Sequence, residues 1–530
     1  LQQARRQKMS EHVFGLQTAE QVADRMAQDF ISTGDAHFSD DYVARIQEVT
    51  ADQVRDVARR YLRPERTGTI LILPREQIAT ESQPLARQAQ AARKITLENG
   101  LRVILRRDPA AALVAIQMYC LGGLVCEQPA NNGISNMLAD LMLRGTKTRS
   151  AEEIARFFDS RGATVTTGSG NNAFYVQCEV LRDDFEDAID VFADVVLNPT
   201  FVTEELERLR PRVLDAISRI DEQWRTELEA YFRKRFFSNS PYGMTSLGTA
   251  ESVRKIDTAA LAAYHRRFVT APNVVLAIFG DIDEAKAEHA VRRLFAKMPA
   301  QPAPRPVAAP EAPIHQKVLF IKAKSPERKA AGIYLGYRGM DVAATRDRYP
   351  MAVLDTIMSG YMYPGGWLHE ALRGGDRDLV YEVHALNMVG LEPGYFGMYA
   401  ACQPEKVNEV YRIFMEKVGR ARAGQFDEDE FRRAKGIILA TDLMQSRTNA
   451  QRAMQSSLDE LYGLGFDHRD RYTEYIESVT MDDVRRVARQ YLTEPIIVVV
   501  TPQPQAVNIG VEPAAIDTEA QTAGAADFGK

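Results

Sequence analysis

An α+β architecture of repeated sandwich domains, each a sheet packed with helices, is what this chain predicts, and two observations carry the prediction. One pattern, a capped amphipathic helix leading into an apolar strand, occurs three times, at residues 49–74, 256–281 and 479–502. The copies are spaced by about the length of a domain. Between them lie segments unlike them: a polar, Gln/Ala-rich stretch at 76–92 and a run over 299–313 that holds six prolines. Both suit connections between domains.

The elements follow in order. In the first copy Thr50 caps a helix ending near residue 62, and residues 69–74 form a buried strand. Residues 94–105 read as two strands around a turn at Asn99-Gly100, and residues 113–121 as a third. Ser150 and Glu153 have capping-box spacing and open a helix to about residue 161. A strand over 174–180 precedes a helix that ends before Pro199. The second copy, helix 256–269 and strand 274–281, closes this domain at about residue 298. After the proline run, from residue 315, the pattern restarts. It has strands at 318–321 and 331–337, a helix at 347–359, and a glycine-containing turn opening a helix that ends at Arg373. Tyr381 follows after a short loop. The third copy closes this second domain at 502. Residues 503–530, rich in Ala, Gly and Thr, are expected to be disordered.

The stretch with the most chemical information is residues 133–146. Asn136 and Asp140 are four residues apart and share one helical face, with Ala139 just before Asp140. A His-x-x-Glu-His zinc helix needs imidazoles at the outer two positions and a carboxylate between them to activate water. Here the frame carries no imidazole and no base. The eight histidines are scattered, and none makes an i, i+4 pair. His369 has a surface role by default.

The order of these motifs, together with Gly122-Gly123, Glu127, Ser240-Pro-Tyr-Gly243 and Leu247-Gly248-Thr249, resembles the insulinase/pitrilysin family of zinc metallopeptidases from about residue 93 to 502. The resemblance implies a clamshell of two halves, each of two such domains. Residues 1–75 would end the second domain of a first half, 76–92 would link the halves, and 93–298 and 315–502 would be the two domains of the second half. The domain over 93–298 then carries the degenerate zinc motif, whose third ligand position falls near Asp215. An oxygen-ligand magnesium or calcium site from Asn136, Asp140 and Asp215 is the alternative to plain hydrogen-bonded polar residues. Zinc would sit in the missing upstream half. By the same resemblance Arg373 and Tyr381 would reach the substrate, as donors to a peptide carbonyl and its developing charge.

The implied function is a catalytically silent, substrate-enclosing half of a zinc endopeptidase acting on peptides or unfolded polypeptides. The rivals are a non-enzymatic clamshell scaffold and an inactive partner of a separate active peptidase. Bacterial relatives favour a periplasmic or cell-envelope setting over the cytoplasm. A net charge of -6 argues against nucleic acid as a partner. No apolar run approaches 18 residues, so no membrane span is expected. The four cysteines lack metal-ligand spacing and read as buried free thiols.

Overall fold

The computed structural model describes residues 1, 4, 5, 8, 19–39, 41–62, 90–304, 307–361, 364–375 and 377–518. It divides into two compact units, Leu1–Ala86 and Arg87–Lys530. The strand expected at 69–74 and nearly all of the 76–92 linker lie outside the described residues.

The first unit contains helices α1 (Ala19–Thr33), α2 (Tyr42–Glu48) and α3 (Ala51–Tyr61). Asp29 of α1 accepts hydrogen bonds from the backbone and hydroxyl of Ser39, which ties α1 to the turn before α2. The Thr50 hydroxyl accepts from Gln53 N–H and the Gln53 side chain from Thr50 N–H, so two otherwise orphaned donors start α3. Its apolar stripe is bare: Val54, Val57 and Leu62 are 47%, 58% and 79% exposed.

In the second unit six strands form a first sheet: β1 (Arg93–Thr96), β2 (Arg102–Arg107), β3 (Leu113–Leu121), β4 (Thr164–Ser169), β5 (Ala173–Leu181) and β6 (Val274–Gly280). Their order is β1-β2-β6-β3-β5-β4. β1 and β2 pair antiparallel around the Asn99-Gly100 turn, where Gly100 takes φ +90°. The unbroken apolar run of β6 sits at the centre, buried along its whole length between β2 and β3. Between β3 and β4 run α4 (Ile134–Met142) and α5 (Ala151–Asp159). Between β5 and β6 run α6 (Phe185–Leu197), α7 (Thr203–Ser218), α8 (Trp224–Phe236), α9 (Ala250–Lys255) and α10 (Thr258–Phe268). α11 (Glu284–Phe295) follows β6.

The second sheet contains β7 (Val318–Ala323), β8 (Ala331–Arg338), β9 (Val380–Met388), β10 (Tyr395–Cys402), β11 (Ile496–Thr501) and β12 (Pro513–Thr518), in the order β12-β7-β11-β8-β10-β9. Its helices are α12 (Thr345–Ser359), α13 (Gly366–Arg373), α14 (Val407–Arg422), α15 (Glu428–Gln445), α16 (Asn449–Leu461), α17 (Tyr472–Ser478) and α18 (Met481–Tyr491). Five strands correspond one to one between the sheets; only the outer strand beside β2 or β7 differs. In the first sheet it is β1, antiparallel. In the second it is β12, parallel to β7 and drawn from the tail. The expectation of disorder over 503–530 is therefore corrected up to Thr518; residues 519–530 lie outside the described residues. A carboxylate latch holds the strand, since Asp517 accepts from Tyr231 Oη at 2.7 Å and also pairs with Arg235.

Each domain lends a helix to the other's sheet. α8, from the first domain, lies across β8 and β11 of the second. Leu228, Phe232 and Phe236 form its inward stripe at i, i+4, i+8. Glycines let it approach: a Cβ on Gly332 would meet Leu228 Cδ2 at 2.9 Å, and one on Gly336 would overlap the Phe232 ring. Phe232 stacks on Tyr334 with centroids 3.9 Å apart. Buried Lys322 and Lys324 meet Glu227 of α8 at 2.7 and 2.8 Å. This fixes the helix's position, because an unpaired charge there is costly. In return α16, from the second domain, covers β3 and β6. Gln117 donates to the Ala450 carbonyl at 2.9 Å and Arg102 to the Glu460 carbonyl at 3.0 Å.

Candidate functional site

α4 begins at Gly133, whose φ of +93° and close approach to the Leu247 carbonyl (2.6 Å from a built Cβ) leave no room for a side chain. The helix N-terminus is capped from outside the helix by the buried Glu127. Its carboxylate accepts from Gly133 N–H (2.7 Å), Asn132 Nδ2 (2.8 Å), Ser135 N–H (3.0 Å) and Ser135 Oγ (2.5 Å). Burial raises its pKa above the usual carboxylate value, opposed by those four hydrogen bonds. Met137, Leu138, Ala139 and Leu141 then turn into the core, and Ala139 is fully buried.

The opposite face opens into a cavity of about 510 Å³. Asn136 and Asp140 line it, as their i, i+4 spacing requires, and Arg144 joins them from the turn after α4. Across from them α7 presents Leu209, Arg212, Val213 and Ala216, the i, i+3, i+4, i+7 face of a helix. Burial raises the Asp140 pKa, and the Arg144 charge opposes that. Asp215 is not among the cavity's residues. Its side chain is 54% exposed and pairs with Arg219 at 2.6 Å, so the residue that α7 turns toward Asn136 and Asp140 is Ala216. The sequence reading missed Arg144 and Arg212; the signal was their position four residues from Asp140 and Ala216.

A zinc ion does not fit these residues. The cavity offers one carboxamide and one carboxylate, with an alanine where a third ligand would stand. Among the described residues no group of three or more His, Cys, Asp or Glu can hold a metal. The four cysteines are free, with Cys120, Cys178 and Cys402 buried and Cys126 half-buried.

Arg373 ends α13 and Tyr381 stands second in β9, either side of a short connection. Arg373, at the end of α13, is half-buried, and its charge bears on His369 and His384. Tyr381 opens β9 beside a bulge, shares a hydrogen bond with Gln403, and faces Asp378 and Glu405; burial, first of all, raises its pKa. His369 is not a surface residue: it is buried, its ring lies 5.4 Å from that of His384, and its Nε2 has no hydrogen-bond partner among the described residues. Burial lowers its pKa to about 4, so the ring is neutral at pH 7.

Residues 102–250 match the family model described as Insulinase (Peptidase family M16), and residues 255–438 match that of the Peptidase M16 inactive domain. An uncharacterised zinc protease of Streptomyces coelicolor is 27% identical over 407 residues, covering 76% of this chain and 87% of that protein. One of Bacillus subtilis is 24% identical over 402 residues, covering 76% and 96%. Two solved structures share the fold. A peptidase M16 inactive domain from Pseudomonas fluorescens has a TM-score of 0.70 at 21% identity, covering 80% of this chain and 100% of that one. A protease from Helicobacter pylori has a TM-score of 0.72 at 16% identity, covering 78% and 100%. With two sheets of matching strand order and these relatives, the chain belongs to the insulinase/pitrilysin (peptidase M16) family.

Proposed function

We propose that the chain is the catalytically silent, substrate-enclosing half of a zinc-dependent endopeptidase that acts on peptides or unfolded polypeptides. The observation that carries this reading is the cavity at α4. The helix, its glutamate cap and the open space are present, while Asn136, Ala139 and Asp140 stand where such an enzyme needs two imidazoles and a base. Relatives named as zinc proteases support the chemistry of the whole.

In this reading zinc belongs to another half, upstream in the same chain, and residues 1–75 end that half's second domain. The bare stripe of α3 supports this. The similar sequence in α18 has Val484, Val487 and Ala488 fully buried beneath α12 and α14, so α3 suits a domain whose matching helices come from elsewhere. Peptides would lie extended along the sheet edge at β4, which pairs only with β5 among the described strands. Arg373 and Tyr381 would contribute donors toward the substrate.

The test compares two proteins on quenched fluorescent peptides. The 530-residue chain supplied with zinc gives no turnover. A chain extended through the residues encoded before Leu1 gives cleavage that a chelator abolishes and zinc restores. Chelator-sensitive cleavage by the 530-residue form sinks the reading. An extended chain without a His-x-x-Glu-His helix replaces it with the scaffold.

A further inference from the structure

The α4 cavity has lost its metal donors but contains unspent positive charge. Most arginines on α7 are engaged: Arg208 with Glu204 and Glu205, Arg210 with Glu207 and the Val253 carbonyl, Arg219 just beyond its end with Asp215. Arg212, on the same helix and facing the cavity, makes no hydrogen bond or ion pair among the described residues. Neither does the Arg144 guanidinium, and the Asn136 carboxamide is likewise unengaged. Among the described residues Asp140 is the one acidic residue lining the cavity, so two guanidiniums stand against one carboxylate. Apart from Thr167, the remaining walls, including Val165, Leu209, Val213 and Leu247, are apolar. A site of this size with apolar walls and two fork-shaped donors suits an organic carboxylate. Val165 and Thr167 of the edge strand β4 also line it. Alternate residues of a strand face the same side, so a strand laid along β4 brings its own alternate side chains to the cavity mouth.

We propose that this vacated zinc-helix cavity is a carboxylate-binding subsite, in which Arg144 and Arg212 clamp an acidic side chain or a free C-terminus of an extended peptide. The proposal rests on the peptide-holding reading given above. Asn136 adds a neutral donor, and Asp140 limits affinity by opposing the bound charge. The subsite would select which peptides the enclosing half retains.

Fluorescence anisotropy on the full 530-residue chain tests this with three labelled eight-residue Ala/Ser peptides. One has a central Glu and an amidated end, one a central Gln and an amidated end, and one a central Gln and a free carboxyl end. The Glu peptide or the free-end peptide binds about tenfold more tightly than the neutral one, and which of them gains identifies the source of the carboxylate. Arg144→Gln and Arg212→Gln each remove most of that gain. Ala216→Phe fills the cavity and removes it entirely, while Asp140→Asn, which keeps both arginines, increases it. Equal binding of all three peptides, or a preference that survives both arginine variants, overturns the carboxylate subsite and leaves the peptide-holding reading intact. Absence of binding by every peptide overturns both.

Discussion

The Asp355 carboxyl lies buried in α12, where its partners are neutral: Ser359 Oγ at 3.3 Å and the backbone N–H of Asn387. Burial pushes its pKa up to about 8, with the hydrogen bonds opposing the shift. An acid raised in this way is protonated in the folded chain while the unfolded chain has already ionised. The folded state therefore binds the extra proton, and stability is highest below the ordinary carboxylate pKa and falls as pH rises toward about 8. The slope is at most about 1.4 kcal/mol per pH unit. Asp355→Asn should flatten the urea midpoint between pH 5 and pH 8 and stabilise the protein at pH 8; an unchanged slope would assign it to other groups. At this scale the sequence was legible where spacing alone decides. Asn136 and Asp140 fall on one face because they are four residues apart. Spacing could not choose between Asp215 and Ala216, which differ by one residue and 100° of helix rotation. Nor could it show that His369 is buried, since its neighbours in α13 are both apolar and charged.

Among the elements, α8 shows how close packing depends on what a strand omits. Gly336 leaves the space that the Phe232 ring fills. Gly336→Ala should destabilise by about 1–3 kcal/mol through overpacking. The loss in Gly336→Ala/Phe232→Ala should be smaller than the sum of the single losses, because the second change removes the atoms the first strikes. Additive losses in urea melts would mean the two residues do not press on each other. The helices and strands of the threefold repeat were readable because their caps are side chains: Thr50, Asp257 and Thr480 each accept a backbone N–H three residues on, within the first turn of the helix. That α8 and α16 cover the other domain's sheet was not readable. Periodicity reports that a helix has an apolar face, not which sheet meets it. β12 was missed for a related reason: in Pro513–Thr518 only Ile516 has a large apolar side chain, and it points outward at 46% exposure.

For the molecule as a whole, the order of the two six-stranded sheets is one plan used twice, with a different outer strand each time. Ending the chain after Glu512 would remove β12 and its Asp517 latch and leave the backbone of β7 open along one side. Such an edge recruits other chains. The truncated protein should melt at lower temperature and show higher-mass species by light scattering, and Asp517→Ala should give the first effect more than the second. A truncated chain as stable and as monodisperse as the parent would make β12 an accessory strand. The exchange of α8 and α16 has a further consequence for motion. Gln117 and Arg102 hold one borrowed helix while Lys322 and Lys324 hold the other, so separating the domains would strip both sheets at once. On the proposed enclosing reading, opening and closing would come from whatever this unit faces, because each of its sheets is covered by a helix from the other's segment.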